Sequence, residues 1–337
     1  MKTKQTKLVA MVLALVVLHL FSISAKSQDE PRIPISSVPI KITSPGSYYL
    51  TGDLTLTVPD QNAIEVDVNN VTIDLMGFNL TGPGSGSGRG IDLGMRSNVE
   101  IRNGTVYNFG GEGIYSSQFF DIETFDSFFG DGHRVIDVRA VANHGGGIVL
   151  NGWNHLARGC LALKNRIYGI YMGGAAKAMC NIANYNWMGG LVVGPGSTVL
   201  ENTVSGNGFD GIVIWCGCTA VNNTASFNVG CGIWMSAGCN VTGNTTAFNS
   251  RGICAAADYV GNLIRSNVAN DNSECNICVE GKSNSIEQNL VTGSKQGIFF
   301  GPDSERNLYA NNRALGSNTE SDYGGNTVDQ IDGGGNL

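Results

Sequence analysis

Charge is scarce in this sequence. Asp, Glu, Lys and Arg make up 15% of its 337 residues, and aromatic residues only 8%. Basic residues are in deficit, 21 against 28 acidic ones, for a formal net charge of −7. Phosphate recognition needs clustered Lys and Arg, so this balance argues against nucleic acid as the main partner. A membrane-length apolar run is also lacking. The run from Leu8 to Phe21 is shorter than a span needs and contains His19. It follows Lys2, Lys4 and Lys7 and precedes Ala25-x-Ser27, the pattern of a secretory signal peptide over residues 1–27. An uncleaved anchor is the alternative, and the length of the run counts against it. No cysteine follows the run closely, so lipid attachment there has no support. Cleavage would remove Lys2, Lys4, Lys7 and Lys26 and no acid, moving the charge from −7 to −11. The expected destination is secreted, periplasmic or cell-surface.

Glycine, by contrast, is plentiful at 47 residues, alongside much Asn, Ser and Thr. Without periodicity such a composition would suggest disorder. Here a period runs through it, which points to a solenoid. "AIEV", "GIDL", "GIYS", "GIVL", "GIYM", "GLVV", "GIVI", "GIWM", "GICA", "NICV" and "GIFF" begin at residues 63, 90, 113, 147, 169, 190, 211, 232, 252, 276 and 297. Within each unit the Ile or Leu and the residue two later are mostly apolar, as at Ile148 and Leu150 or Ile212 and Ile214. Alternation over so short a run predicts a strand with one face in a core.

A second register accompanies the first. Asn181, Asn202, Asn223, Asn244, Asn267, Asn289 and Asn312 recur at the same period, and most have a polar turn residue five positions later. Asn tolerates the left-handed conformation and bonds locally to backbone, so it suits corners. Stacked from coil to coil, such side chains can also bond to those above and below. Small or branched residues lie two after each Asn and apolar ones mostly three before it. Each unit therefore offers about three inward-facing strand segments separated by polar corners.

These residues resemble the right-handed parallel β-helix repeats of the pectate-lyase-like superfamily, over roughly residues 60 to 317. The residues alone reach a β-solenoid; the handedness is what the resemblance implies. A leucine-rich repeat is the rival, and its Leu spacing is absent. The expected fold is all-β, a right-handed parallel β-helix of about eleven coils. Its parts would be a signal peptide (1–27), an N-terminal cap (28–60), the helix (61–317) and a polar C-terminal tail (318–337).

Departures from the repeat suggest where chemistry could sit. The unit beginning at Gly113 is 34 residues long and inserts "SSQFFDIETFDSFFGDGHRV" between two strands. Long loops in compact folds are often functional. This one carries Asp121, Glu123, Asp126, Asp131 and His133 among five phenylalanines; a loop that merely shields an edge is the plain alternative. His133, His144 and His155 fall within 23 residues, with Arg158 close by. Asp92, Tyr115, Val149 and Tyr171 are expected to face outward, with Trp153 and Asn154 in the following turn, as an aromatic floor suited to sugar rings. The expected partner is thus a polysaccharide. Chemistry on a uronic acid needs one group to neutralise the carboxylate and another to take the C5 proton. Arg158, or a Ca²⁺ held by Asp126 and Asp131, is the candidate for the first role. His155, His144 and Tyr171 are candidates for the second. Hydrolysis would need two carboxylates across the bond, and Asp92 with Asp126 or Asp131 is the pair to consider. His133, Tyr115, Trp153, Asn154 and Asp92 would line the substrate.

Signatures of the superfamily's enzymes are missing. There is no "NTD", "DD", "GHG" and "RIK" set of polygalacturonases, and "DGH" stands where alginate epimerases have "DPH". A lyase or epimerase therefore competes with a non-catalytic surface, adhesion or structural protein. Nine cysteines in an exported chain invite disulfides, with at least one left over. Register offers Cys218 with Cys239, and less favourably Cys254 with Cys278. A metal site from Cys216, Cys218, Cys231 and Cys239 lacks the usual spacing. The sequons at Asn70, Asn79, Asn103, Asn222, Asn240 and Asn244 follow from Asn/Thr-rich corners. Finally, Val192, Val213, Trp234, Cys254, Cys278 and Phe299 form an outward apolar stripe that needs a cover, expected from the tail or from self-association.

Overall fold

Residues 191–207 show how one coil closes. Leu191–Val193, Thr198–Leu200 and Thr203–Ser205 are three short strands separated by turns. Leu191, Val193, Val199 and Val204 point inward and are fully buried. Burying a side chain of that size contributes roughly 1.5–3 kcal/mol, and every coil repeats it. The next coil lies parallel and in register, with Leu191 opposite Ile212, Val199 opposite Ala220 and Val204 opposite Ala225. The computed structural model describes residues 31–120, 127–316 and 321–337. The expected signal peptide and Asp126 lie outside them.

The first strands of the coils stack into one 13-stranded parallel sheet; the other two strands of each coil join a 24-stranded one. The solenoid thus has about thirteen coils rather than the expected eleven. The two additional rungs are Ile40–Ile42, paired with Ile64–Val66, and Ser321–Gly325, paired with Gln296–Phe300. Neither "IKI" nor "SDYGG" carries the Gly-Ile anchor by which the repeat is read, so backbone pairing alone marks them as rungs. The long unit forms an antiparallel hairpin of Gln118–Phe120 with Ser127–Phe129 before the chain rejoins the coil at Arg134–Val141.

Three ladders of buried polar side chains hold the corners. In the first, Asn181 Nδ2 donates to Asn202 Oδ1 at 3.0 Å and to the Ala157 carbonyl at 2.9 Å, and the pattern repeats through Asn223, Asn244, Asn267 and Asn289. The second runs from Asn143 through Asn165, Asn186, Asn207 and Asn228 to Asn249. These asparagines do not themselves take the left-handed conformation. The residue before each one does: Glu201, Asn222, Ser266 and Gln288 have φ of 56°, 54°, 54° and 57°. That tight turn aims the following side chain inward, where burial requires its polar atoms to be bonded.

Two expectations about sulfur and the apolar stripe are revised. The disulfide joins Cys275 and Cys278, 5.9 Å apart at Cα, and Cys218 and Cys239 are free buried thiols. Both of the latter point inward as ladder members, and Cys239 Sγ lies 3.0 Å from the Trp215 carbonyl. The stripe is largely covered by its own neighbours. Val192, Cys254 and Cys278 are buried, and Trp215 and Tyr259 pack edge-on against Trp234 at 5.8 and 6.1 Å. The tail adds its rung beside Phe299, which pairs with Gly324. The exposed aromatic ridge lies instead on the corner before the 13-stranded sheet, at Tyr185, Trp187, Phe209, Phe227 and Phe248.

Candidate functional site

The predicted site residues fall in five separate places. His133 and His155 are inside the solenoid, 0% and 1% exposed, with rings stacked 5.1 Å apart. The backbone N–H of Val99 donates to His133 Nδ1 at 3.3 Å, and that of His133 donates to His155 Nδ1 at 3.2 Å. With both Nδ1 atoms accepting, the protons belong on Nε2, and His155 Nε2 donates to the Asn151 carbonyl at 3.0 Å. Burial lowers the two rings to about 3 and about 4, so both are neutral. A side chain enclosed in this way cannot touch a polymer on the surface. His133 and His155 head the third ladder, which continues through Ala176, Ser197, Cys218, Cys239, Asn262 and Asn284.

His144 is half-buried on the corner that precedes the 13-stranded sheet, where burial and nearby Arg166 lower its affinity for a proton. Arg158 is exposed on the other sheet, in register with Met179. Trp153, the last residue of the strand Ile148–Trp153, and Asn154 in the turn after it are exposed, and Asp131 Oδ1 accepts the Trp153 backbone N–H at 2.8 Å. Asp131 thereby holds a turn; its proposed metal partner Asp126 lies outside the described residues. Among the described residues no three His, Cys, Asp or Glu side chains are arranged so that they could hold a metal ion. His144, His155 and Arg158 therefore do not converge on one face.

Asp92, Tyr115 and Tyr171 do share a face. Lys41, Glu65, Asp92, Tyr115, Val149 and Tyr171 occupy successive rungs of the 13-stranded sheet, each in register with the next. On the first four rungs these outward residues belong to a charged network. Lys41 Nζ pairs with Glu65 at 2.8 Å and Asp67 at 3.1 Å, and Arg96 pairs with Asp67. Arg89 pairs with Asp92 at 3.0 Å and Glu112 at 2.7 Å, and its guanidinium carbon lies 3.8 Å from the centre of the Tyr115 ring. Burial pushes Arg89 down, but Glu112 and Asp92 outweigh it and hold its guanidinium above the usual value. Lys41 and Arg96 keep the Asp67 carboxyl below the usual range. Burial and Tyr168 raise Tyr171.

This face is hollowed. One depression of about 460 Å³ is lined by Lys41, Asp60, Gln61, Asn62 and Glu65. A second, of about 370 Å³, is lined by Glu65, Asp67, Asp92, Met95, Arg96 and Ser117. They meet at Glu65 and make a trough that crosses rungs of the sheet. Lys41, Glu65, Asp67, Arg89 and Arg96 were not among the residues singled out from sequence. For Glu65 the signal was available, since it stands in "AIEV" where Asp92 stands in "GIDL"; Lys41 lies on a rung that backbone pairing alone reveals. The unusual length of the Gly113 unit drew the reading elsewhere.

Residues 177–315 match the family described as right-handed β-helix region. The fold is a right-handed parallel β-helix. No curated protein matches the chain by sequence. Among solved structures it is similar to the A-module of the mannuronan C-5 epimerase AlgE6 of Azotobacter vinelandii. The TM-score is 0.55 at 13% identity, over 91% of this chain and 89% of that one. It is also similar to the periplasmic alginate epimerase AlgG, with TM-score 0.51, 13% identity, and 89% and 76% covered. The Dettilon tailspike protein gives TM-score 0.50 at 15% identity, over 91% of this chain and 59% of that one. At such identities the right-handed β-helix is what these likenesses share with the chain.

Proposed function

We propose that this is an exported β-helix protein that engages polysaccharide along the trough between the Lys41 and Tyr115 rungs. One observation carries the reading: two hollows that share Glu65 on the sheet face, bordered by paired carboxylates and cations, with the Arg89-covered Tyr115 ring on the rung next to Asp92. Four rungs span roughly 14 Å at the usual spacing of neighbouring strands, long enough for a short run of sugars. Carboxylates and guanidinium groups bond well to the vicinal hydroxyls of a sugar. Every cation of the trough already has an acidic partner. A hydroxyl-rich, weakly charged chain suits that surface better than a dense polyanion. The epimerases named above act, by name, on uronate polymers, and alginate belongs in any panel of ligands for that reason.

Oligosaccharides of rising length, titrated calorimetrically, test this. Affinity should climb until the ligand spans the four rungs and then level off. Affinity that is independent of length, or absent for every glycan, would remove the reading.

A second reading is a uronate lyase or epimerase, favoured by one juxtaposition: the Arg89 guanidinium and the Tyr115 phenol share a rung-to-rung contact beside Asp92. There a cation would meet the carboxylate, and the phenolate of Tyr115 would take the C5 proton and become the phenol. Unsaturated products, or solvent deuterium at C5, would establish it; their absence with a bound uronate would leave binding alone.

A further inference from the structure

Four cysteines meet on the 13-stranded sheet, away from the trough. Cys231, Cys254, Cys275 and Cys278 form one buried cluster, flanked by Trp234 and Phe299. The strand register explains the meeting. Cys231 and Cys275 are separated by Arg251 in one ladder of partners, while Cys254 is the direct partner of Cys278 in another. A fully extended strand would place residues 275 and 278 roughly 10 Å apart. The chain is contracted between them to 5.9 Å, where they are disulfide-bonded. Cys231 and Cys254 remain thiols. The two lie on adjacent rungs of the sheet, Cys231 in register with Arg251 and Cys254 with Trp234. The backbone N–H of Cys231 donates to the Asp210 carboxylate at 2.7 Å. A dithiol with an adjacent base thus lies beside a disulfide.

We propose that this cluster is a thiol–disulfide exchange centre, in which the Cys231/Cys254 pair takes over the disulfide from Cys275 and Cys278. The Cys254 thiolate attacks its register partner Cys278, forming a Cys254–Cys278 bond and expelling Cys275 as thiolate, which takes up a proton. The departing sulfur lies at a hollow of about 250 Å³ lined by Arg251, Glu274 and Lys295, where Arg251 is held by Glu274 and Glu280 and Lys295 adds a further positive charge beside the leaving thiolate. Cys231, its proton passing through Asp210, then attacks Cys254 and expels Cys278, which is reprotonated. One S–S bond and two S–H bonds are consumed and the same number formed, so the exchange needs no outside oxidant. Burial pushes the Cys254 thiol up, which slows the first step.

Disulfide mapping tests the proposal on the full chain. The folded protein is held at pH 8, quenched in acid to stop exchange, denatured, alkylated with N-ethylmaleimide and mapped by mass spectrometry. Both the Cys275–Cys278 and the Cys231–Cys254 linkages should appear in the wild type. Cys231→Ser should abolish the second linkage and stop the exchange at Cys254–Cys278, whereas Cys254→Ala should leave only Cys275–Cys278, with the β-sheet circular dichroism unchanged in both. Should either variant fail to fold, the wild type still decides. After native alkylation of only those molecules whose Cys231 and Cys254 are free, the linkage at Cys275–Cys278 must become permanent. A single Cys275–Cys278 linkage in the wild type at all incubation times would overturn the proposal.

Discussion

His155 Nδ1 accepts the backbone N–H of His133 at 3.2 Å, as Asn284 Oδ1 accepts that of Asn262 at 2.9 Å. The two histidines that look most like chemistry in the sequence perform the task that asparagine performs farther along the same ladder. Removing the acceptor should therefore cost stability. His155→Ala would leave a buried N–H without a partner, a penalty of roughly 1–3 kcal/mol before any loss from the cavity. His155→Asn restores an oxygen at that position and should lose clearly less. Denaturant midpoints at pH 7.5 would rank them; equal losses would show that the bond is not the reason.

The same burial gives the fold an acid limit. His133 and His155 are lowered to about 3 and about 4, whereas an unfolded histidine titrates near 6.5. Above pH 6.5 neither state binds the proton, and their contribution does not change. Below it the unfolded chain takes up protons that the folded chain refuses, so stability falls as pH drops toward 4. At pH 5 the pair should cost on the order of 4 kcal/mol relative to neutrality. A melting temperature that declines between pH 6.5 and 4, with a shallower decline in the His133→Asn/His155→Asn double variant, is the expected result. An unchanged slope in the double variant would assign the acid sensitivity to other groups.

Neighbouring corner residues should respond oppositely to glycine. Asn223 Oδ1 accepts from the Asn202 side chain, and its Nδ2 donates to the Val199 carbonyl and to Asn244. Asn223→Gly deletes these bonds in the interior and should cost ~3 kcal/mol. Asn222, one residue earlier, holds φ at 54°. Asn222→Gly removes no buried bond and relieves the left-handed turn, so it should be neutral or slightly stabilising. Thermal melts of the two variants check the pair.

The coil, its parallel register and its polar corners were legible because identical side chains recur there at a fixed spacing. Where the same position is filled by different residue types, the period is hidden. His133, His155, Ser197, Cys218, Cys239 and Asn262 share one ladder, and only their spacing gives it away. The outer rungs at Ile40–Ile42 and Ser321–Gly325 lack the anchor motif and show themselves through backbone pairing alone. Asp92 and Tyr115 could be placed on the outward face from strand alternation. The trough around them could not, because it depends on Arg89 and Arg96 reaching across coils to Glu112 and Asp67.

Polysaccharide affinity, measured on matched variants of the trough and of the other candidate positions, tests the central claim most directly. Affinity electrophoresis in gels containing neutral or uronate glycans would compare the wild type with Arg96→Ala, Tyr115→Ala, Arg158→Ala and His155→Asn. Arg96→Ala and Tyr115→Ala should each weaken binding about tenfold, the equivalent of ~1.4 kcal/mol. Arg158→Ala, on the opposite sheet, and His155→Asn, in the interior, should bind as the wild type does. Binding lost in Arg158→Ala and kept in Tyr115→Ala would contradict the account.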